Sequence, residues 1–253
     1  GREVVVLEKM PMIGGNTVRA EGGINAAETP QQKKAGIPDT IDQFYADTMK
    51  GGHNLNDPAL VRTLTTHAKD AVAWLVSLGA DLNTVGRAGG AKYPRAHRPT
   101  DGSAIGPEVI RVLWKAAKDR KMDVRTQTRA TEIIMKDGRV AGVKATNKDG
   151  KVYTIDAKAV VLATGGFGAN QDMLVKYQPK LKGYATTNQP GATGDGIILA
   201  EHAGAALVDM KQIQAHPTAA PDGTLISESV RGDGGILINA EGKRFVNELA
   251  NRK

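Results

Sequence analysis

Cysteine is absent from all 253 residues. Its absence excludes disulfides, cysteine-ligated zinc, iron–sulfur clusters and covalently attached c-type haem within this span. The five histidines, His53, His67, His97, His202 and His216, show no metal-ligand spacing, so no metal site is expected. Aromatic residues make up only 4%, and the lysines and arginines behind the net charge of +7 are scattered. A nucleic-acid surface needs clustered cations with stacking rings among them, and none is expected. The positive field suits small anionic molecules instead. No apolar run approaches the roughly 20 residues that cross a bilayer, so no membrane insertion is expected. No secretory signal is present, although Gly1 reads as a mid-domain start rather than a natural N-terminus. With 40% apolar residues the chain is a globular one, long enough for one large domain or one domain and part of another.

Along the chain, Glu3-Val-Val-Val-Leu-Glu8 reads as a buried parallel strand ending in an acid. In a dinucleotide-binding βαβ unit such an acid bonds ribose hydroxyls, with a glycine turn about 20 residues earlier, here before residue 1. Gly14-Gly15-Asn16-Thr17 and Glu21-Gly22-Gly23-Ile24-Asn25 follow, and paired glycines permit close backbone approach to a pyrophosphate or a ring system. A helix is expected over 38–50, and another from an Asp57 N-cap with Pro58 at its first position to Gly79. His67 and Trp74 are given packing roles on that helix and no chemistry. Residues 86–106 read as a loop with basic Arg95, His97 and Arg98, solvated or beside the cofactor, and 108–121 as a third helix. Two Asp-Gly turns, at Asp137-Gly138 and Asp149-Gly150, separate three alternating segments and predict a small antiparallel meander. Residues 159–166 read as a continuous apolar strand ending in Thr164-Gly165-Gly166, and Thr193-Gly-Asp-Gly196 opens a helix to Gly204 whose start offers free N–H groups and a carboxylate.

The richest chemistry lies in Gln214-Ala-His-Pro-Thr218, Ser227-Glu-Ser-Val-Arg231, Arg244-Phe-Val-Asn-Glu248 and Arg252. An imidazole, carboxylates and guanidiniums set among glycines and short apolar segments suit binding of a dicarboxylate and delivery of a proton. Each has a plainer alternative: a histidine before proline is often structural, Glu228 and Arg231 are spaced as a surface pair, and Arg252 can be simply solvated.

Taken in order, Glu8, Gly14-Gly15-Asn16, Gly22-Gly23, Asp47-Thr-Met-Lys-Gly-Gly52, Asn56-Asp-Pro58, Ala163-Thr-Gly-Gly166, Asn188-Gln-Pro-Gly-Ala-Thr-Gly-Asp195 and the C-terminal cluster closely resemble the flavoprotein of bacterial soluble fumarate reductases. The resemblance is to the flavocytochrome c type, within the FAD-dependent oxidoreductase 2 (succinate dehydrogenase–fumarate reductase flavoprotein) family, and spans essentially the whole chain as an internal fragment. It implies an α/β fold: an FAD/NAD(P)-binding Rossmann-like domain, incomplete here, with the small antiparallel meander and the start of a capping (clamp) domain. Residues 1–209 would be FAD domain, lacking its first strand and glycine turn, and 210–253 the beginning of the cap. Noncovalent FAD would contact Glu8, Asn16, Thr17, Gly22, Gly23, Ala130 and Asp195.

By the same resemblance, reduced FAD gives hydride to one alkene carbon of fumarate and Arg252 protonates the other, through Glu228 and Arg231. Arginine is a poor free acid, because its guanidinium holds its proton far above neutral pH, so such a role needs a dry site and a relay. His216 and Ser227 (usually threonine in the family) would hold a substrate carboxylate, and Glu228 and Gly23 would also bind substrate. The resemblance further implies succinate dehydrogenase activity, anaerobic respiratory electron transport, a periplasmic location (alternatively cytoplasmic), and a haem domain, flavin domain or quinol-linked cytochrome as electron donor. Haem c would sit on a domain outside this chain, and the chain alone is expected to bind FAD weakly and turn over negligibly. Alternatives are a reductase of another enoate (urocanate, methacrylate), a ketosteroid dehydrogenase relative, or a non-catalytic nucleotide-binding scaffold.

Overall fold

Local punctuation sets most of the element boundaries. The structure, a computed structural model, describes residues 3–220, 224–226, 228–232, 234–248 and 250. In chain order its elements are β1 (Val5–Leu7), β2 (Ile24–Asn25), α1 (Pro30–Lys34), α2 (Ile41–Gly51), α3 (Pro58–Ser77), β3 (Thr84–Gly86), β4 (Ala96–Arg98), α4 (Ile105–Asp119), β5 (Asp123–Arg125), β6 (Arg129–Lys136), β7 (Arg139–Thr146), β8 (Val152–Asp156), α5 (Gln171–Tyr177), α6 (Asp195–His202) and α7 (Glu228–Gly232). They form two compact units, one of residues 1–16, 117–214 and 221–224, the other of 17–116, 215–220 and 225–253.

In the first unit β1 pairs in parallel with β5, Val6 lying opposite Val124. The expected buried strand is shorter and more open than its composition suggests. Val4 is 49% and Val6 38% exposed, because β5 is the one strand paired with it among the described residues. The meander is as expected: β6, β7 and β8 pair antiparallel in that order. The β6–β7 turn has positive φ at both Asp137 (50°) and Gly138 (72°), the geometry that matches strand twist in a two-residue hairpin. Residues 159–166 are the clear departure. They form no strand among the described residues, and Val161 is 88% exposed. An apolar, β-branched run becomes a strand only where a neighbour takes its N–H and C=O groups, and none is paired with it here.

In the second unit α3 starts as its sequence dictates. Asp57 caps it by accepting from the N–H groups of Ala59 and Leu60 at 2.8 and 3.1 Å, Pro58 is first in the helix, and Gly79 follows the cap residue with φ +90°. The helix expected over 38–50 begins later, since Thr40 is the N-cap and accepts from the Gln43 N–H at 3.0 Å. The third helix runs Ile105–Asp119 rather than 108–121. The core is built from Ala26, Ala27, Phe44, Ala68, Val72, Leu75, Ala80, Leu82, Ile105 and Val112. His67 pairs with Asp70 on the exposed face of α3, and Trp74 is 54% exposed.

Residues 86–106 depart from expectation most. The stretch contains β4, the middle strand of the sheet β2–β4–β3, and Arg95 and His97 are among the most buried side chains of the protein. Arg95 donates through Nε and Nη2 to both oxygens of Asp39 at 2.9 Å and through Nη2 to Asp47 at 2.8 Å. Its guanidinium also lies 4.7 Å from the Phe44 ring centre. Gln32 donates to Asp39 at 3.1 Å, and the Lys92 N–H and Gln43 amide complete Asp47 at 3.0 and 2.8 Å. Burial of a lone guanidinium is strongly unfavourable; two carboxylates and the three hydrogen bonds to them make it tolerable. Truncation with Arg95→Ala is expected to cost about 3–5 kcal/mol by stranding buried carboxylates. Lys243→Ala, which removes an exposed pair with Glu241, should cost less than about 1 kcal/mol. Urea unfolding measures both, and equal losses would overturn the assigned role of Arg95.

Candidate functional site

Glycine-rich turns place the candidate residues of the first unit. Glu8 ends β1; its N–H donates to the Arg125 carbonyl and its own carbonyl accepts from Thr128, both at 2.9 Å. Its carboxylate accepts from the Met10 N–H at 2.8 Å. Gly14 and Gly15 take φ of 114° and 50°, and a Cβ on Gly15 would meet nothing within 4 Å. The turn thus requires the left-handed region and leaves open space beside it. Asn16 then spans to a distant loop, donating to the Asn188 side chain at 2.6 Å and accepting from the Gln189 N–H at 2.7 Å.

The Thr164-Gly-Gly166 turn meets the same loop. The Gly194 N–H donates to the Gly166 carbonyl at 3.1 Å, and Ala169 N–H to Ala192 at 2.9 Å. A Cβ on Gly196 would fall 1.9 Å from the Thr164 hydroxyl, so only glycine admits this packing. Three glycine-bearing segments, 14–16, 164–170 and 186–195, are therefore joined. Asp195 opens α6, but its carboxylate is already engaged: it accepts from the Thr193 hydroxyl at 2.6 Å and Arg129 Nε at 2.8 Å, and pairs with Lys9 at 3.2 Å. Burial pushes this carboxyl up, and the bonds from Thr193, Arg129 and Lys9 outweigh it, holding it below the ordinary value. Through Arg129 and Lys9, Asp195 is brought beside their chain neighbours Ala130 and Glu8.

In the second unit Thr17 opens a short 3-10 turn, Thr17–Arg19. Gly22 and Gly23 differ in kind. A Cβ on Gly22 meets nothing within 4 Å, while Gly23, with φ +130°, would place one 2.9 Å from the His97 carbonyl. The close approach expected of the pair has, at Gly23, a partner inside the chain, strand β4. His97 fixes that strand from within. Its Nδ1 lies 2.9 Å from the Arg95 carbonyl and 3.2 Å from that of Ile24, so Nδ1 carries the proton and Nε2 accepts from the Thr29 hydroxyl at 2.7 Å. Burial pushes its pKa down, in keeping with a neutral ring.

The C-terminal cluster also belongs to the second unit. His216 Nδ1 lies 2.9 Å from the Thr218 carbonyl. Glu228, the first residue of α7, accepts from the Gly89 N–H at 3.3 Å. Arg231 is 7% exposed; its Nη1 reaches the Glu248 carbonyl at 3.5 Å. Its Nε and Nη2 are buried and have no hydrogen-bond partner among the described residues. Ser227 and Arg252 lie outside the described residues. Sequence reasoning placed Glu248 in the cluster but gave it no role. It is buried, and accepts from the Leu237 N–H at 2.8 Å and from Arg244 Nη2 at 2.6 Å. The signal was present in the spacing of Arg244 and Glu248, an opposite-charge pair four residues apart. Lys9, too, was passed over.

A parallel strand ending in an acid, with glycine turns gathered at Asn16, Gly166 and Asp195, is the arrangement of a nucleotide-binding flavoprotein. The chain belongs to the FAD binding domain family, whose match covers residues 1–253. It is 50% identical over its whole length to the fumarate reductase (cytochrome) of Shewanella frigidimarina, and spans 44% of that protein. It is 47% identical to the NADH:fumarate oxidoreductase of Klebsiella pneumoniae (strain 342), again over its whole length and 27% of the relative's. Among solved structures, the open conformation of a flavocytochrome c3 fumarate reductase matches with a TM-score of 0.89 at 43% identity, over 98% of this chain and 44% of that one. The chain thus spans less than half the length of these relatives, and FAD is its family's cofactor. The residues fit that group: the open sides of Gly15 and Gly22 leave room that a side chain would fill. Among the described residues no helix is long and apolar enough to cross a membrane.

The Glu248 carboxyl is pulled from its ordinary 4.5 to about 2, first by Arg244 and then by the Leu237 N–H. A folded value below the unfolded one means that the interaction contributes full stability above pH 4.5 and loses it as pH falls through about 2. Glu248→Gln is therefore expected to flatten the loss of stability on acidification below pH 4.5. Urea unfolding across a pH series checks this, and slopes identical to those of the parent would contradict it.

Proposed function

We propose that the full-length protein reduces fumarate to succinate, and that the residues of this chain form the FAD domain over 1–209 and begin a substrate-capping domain over 210–253. The observation that carries the reading is Arg231, a buried guanidinium with Nε and Nη2 unbonded among the described residues. A buried cation with open donors calls for an anionic neighbour, and Glu228, on the same short helix, is the carboxylate assigned beside it in the relay. The relatives' names, fumarate reductase and NADH:fumarate oxidoreductase, support the same substrate.

Glu8, Asn16, Thr17, Gly22, Gly23, Ala130 and Asp195 would hold FAD noncovalently; several act by backbone or by shaping the loops, as the engaged side chains of Asn16 and Asp195 suggest. When bound and reduced, FAD supplies the hydride for one alkene carbon. His216, Ser227 and the Gly23 backbone hold the substrate carboxylates and draw electron density from the alkene. Arg252 gives the proton to the other carbon and is reprotonated from Glu228 and Arg231, so that hydride and proton together make succinate. A carboxylate between two guanidiniums keeps all three charged and passes protons in sequence. Electrons would come from a haem or flavin domain or a quinol-linked cytochrome, with the periplasm as the compartment in an anaerobic respiratory chain. The chain by itself is expected to hold FAD weakly and turn over negligibly.

His216 favours a dicarboxylate over a monoanionic enoate, because it offers a second carboxylate a donor. With reduced viologen as donor, the full-length protein is expected to reduce fumarate in preference to urocanate and methacrylate. Arg252→Ala should lower kcat by about 10⁴-fold or more, as expected when an essential acid is removed, with FAD content unchanged. A full rate in Arg252→Ala, or preference for urocanate, would sink the proposal; retention of rate in both Arg252→Ala and His216→Ala would point to a scaffold.

A further inference from the structure

The segment that follows α7 is a small hairpin whose end is folded back on its beginning. Ile238 bridges Arg244 in antiparallel fashion, and Asn239 and Lys243 close the turn through a 2.9 Å bond. Glu248 then returns to the start of the hairpin, where its Oε1 accepts from the Leu237 N–H at 2.8 Å. Its side chain is 3% exposed, whereas that of Arg244, which grips it from the solvent side, is 58% exposed. Arg244 uses both Nε and Nη2 for the grip, at 3.1 and 2.6 Å from Oε2. The backbone carbonyl of Glu248 is what Arg231 Nη1 reaches at 3.5 Å. Thus one residue closes the hairpin with its side chain and meets the buried guanidinium with its main chain. Arg252 follows four positions later in the sequence.

We propose that Glu248 is a positioning residue for proton delivery: by stapling Leu237 and Arg244 it holds its own carbonyl against Arg231. The proposal rests on the fumarate-reductase reading above. A carboxylate held on two sides by an N–H and a guanidinium fork has little freedom. Its carbonyl inherits that rigidity and holds Arg231 by Nη1, while Nε and Nη2 stay uncommitted among the described residues. Removing the staple leaves all assigned binding and relay side chains in place while loosening the aim of one of them.

The test uses the full-length protein with FAD bound and reduced viologen as donor. Glu248→Ala is expected to lower kcat about 10–100-fold, the scale of a small misplacement of a catalytic group, with KM for fumarate within about twofold. Glu248→Gln keeps Oε1, which accepts from the Leu237 N–H and Arg244 Nε, but loses Oε2, and should recover the rate only in part. Combined with Arg231→Lys, Glu248→Ala should cost less than the product of the single losses, since both act on one group. Should Glu248→Ala fail to retain FAD, Arg244→Ala takes its place, with the same fall in kcat and steady KM expected. An unchanged kcat in the Glu248 and Arg244 variants, or strictly multiplicative losses, would overturn the proposal while Arg231→Ala still impairs turnover. If Arg231→Ala itself keeps full rate, the relay reading falls and this proposal with it.

Discussion

Arg95, buried between Asp39 and Asp47, is the interaction on which the second unit depends. Its partners are Asp39, in the connection just before α2, and Asp47, within α2, while Arg95 leads into the central strand β4. A guanidinium has no neutral escape at ordinary pH, so the segments carrying those carboxylates must come together for the core to close around it. The apolar residues nearby, Phe44 above all, supply burial, but burial is non-directional. It is the fork of Arg95 that specifies which residues of α2 face β4.

From that fixed strand the functional geometry follows outward. His97 is neutral, with a defined tautomer, and ties β4 both to Ile24 and to the Thr29 cap of α1. A Cβ on Gly23 would lie 2.9 Å from the His97 carbonyl, so glycine is what lets this turn pack against β4. In the first unit a different device holds the loops together: the side chains of Asn16 and Asp195 bond to distant segments of the chain.

What could be read in the sequence was whatever local chemistry decides. Asp57-Pro58 and Gly79 bracket α3, and Asp137-Gly138 sets the hairpin, because caps and turns are determined within a few residues. The family resemblance placed the glycine loops and the C-terminal cluster, and the structure joins segments 14–16, 164–170 and 186–195 in one unit. Arg95 and His97 were misplaced in a solvated or cofactor-side loop because their burial depends on carboxylates and a hydroxyl far away in sequence, which no periodicity reveals. Residues 159–166 failed for the converse reason: strand-forming side chains are visible locally, but the partner that makes a strand is not. The role of Glu248 was likewise hidden, since it lies in a main-chain carbonyl.

The bond between Asn16 and Asn188 joins positions 172 residues apart, and the contact of Lys9 with Thr193 spans 184. Closing loops of that length is slow relative to forming helices and hairpins, which need only neighbouring residues. The glycine turn at residues 14 and 15 is therefore anchored by partners far away in sequence and not by its own neighbours. The junction of the three glycine-bearing segments is thus expected among the later events in folding of the first unit.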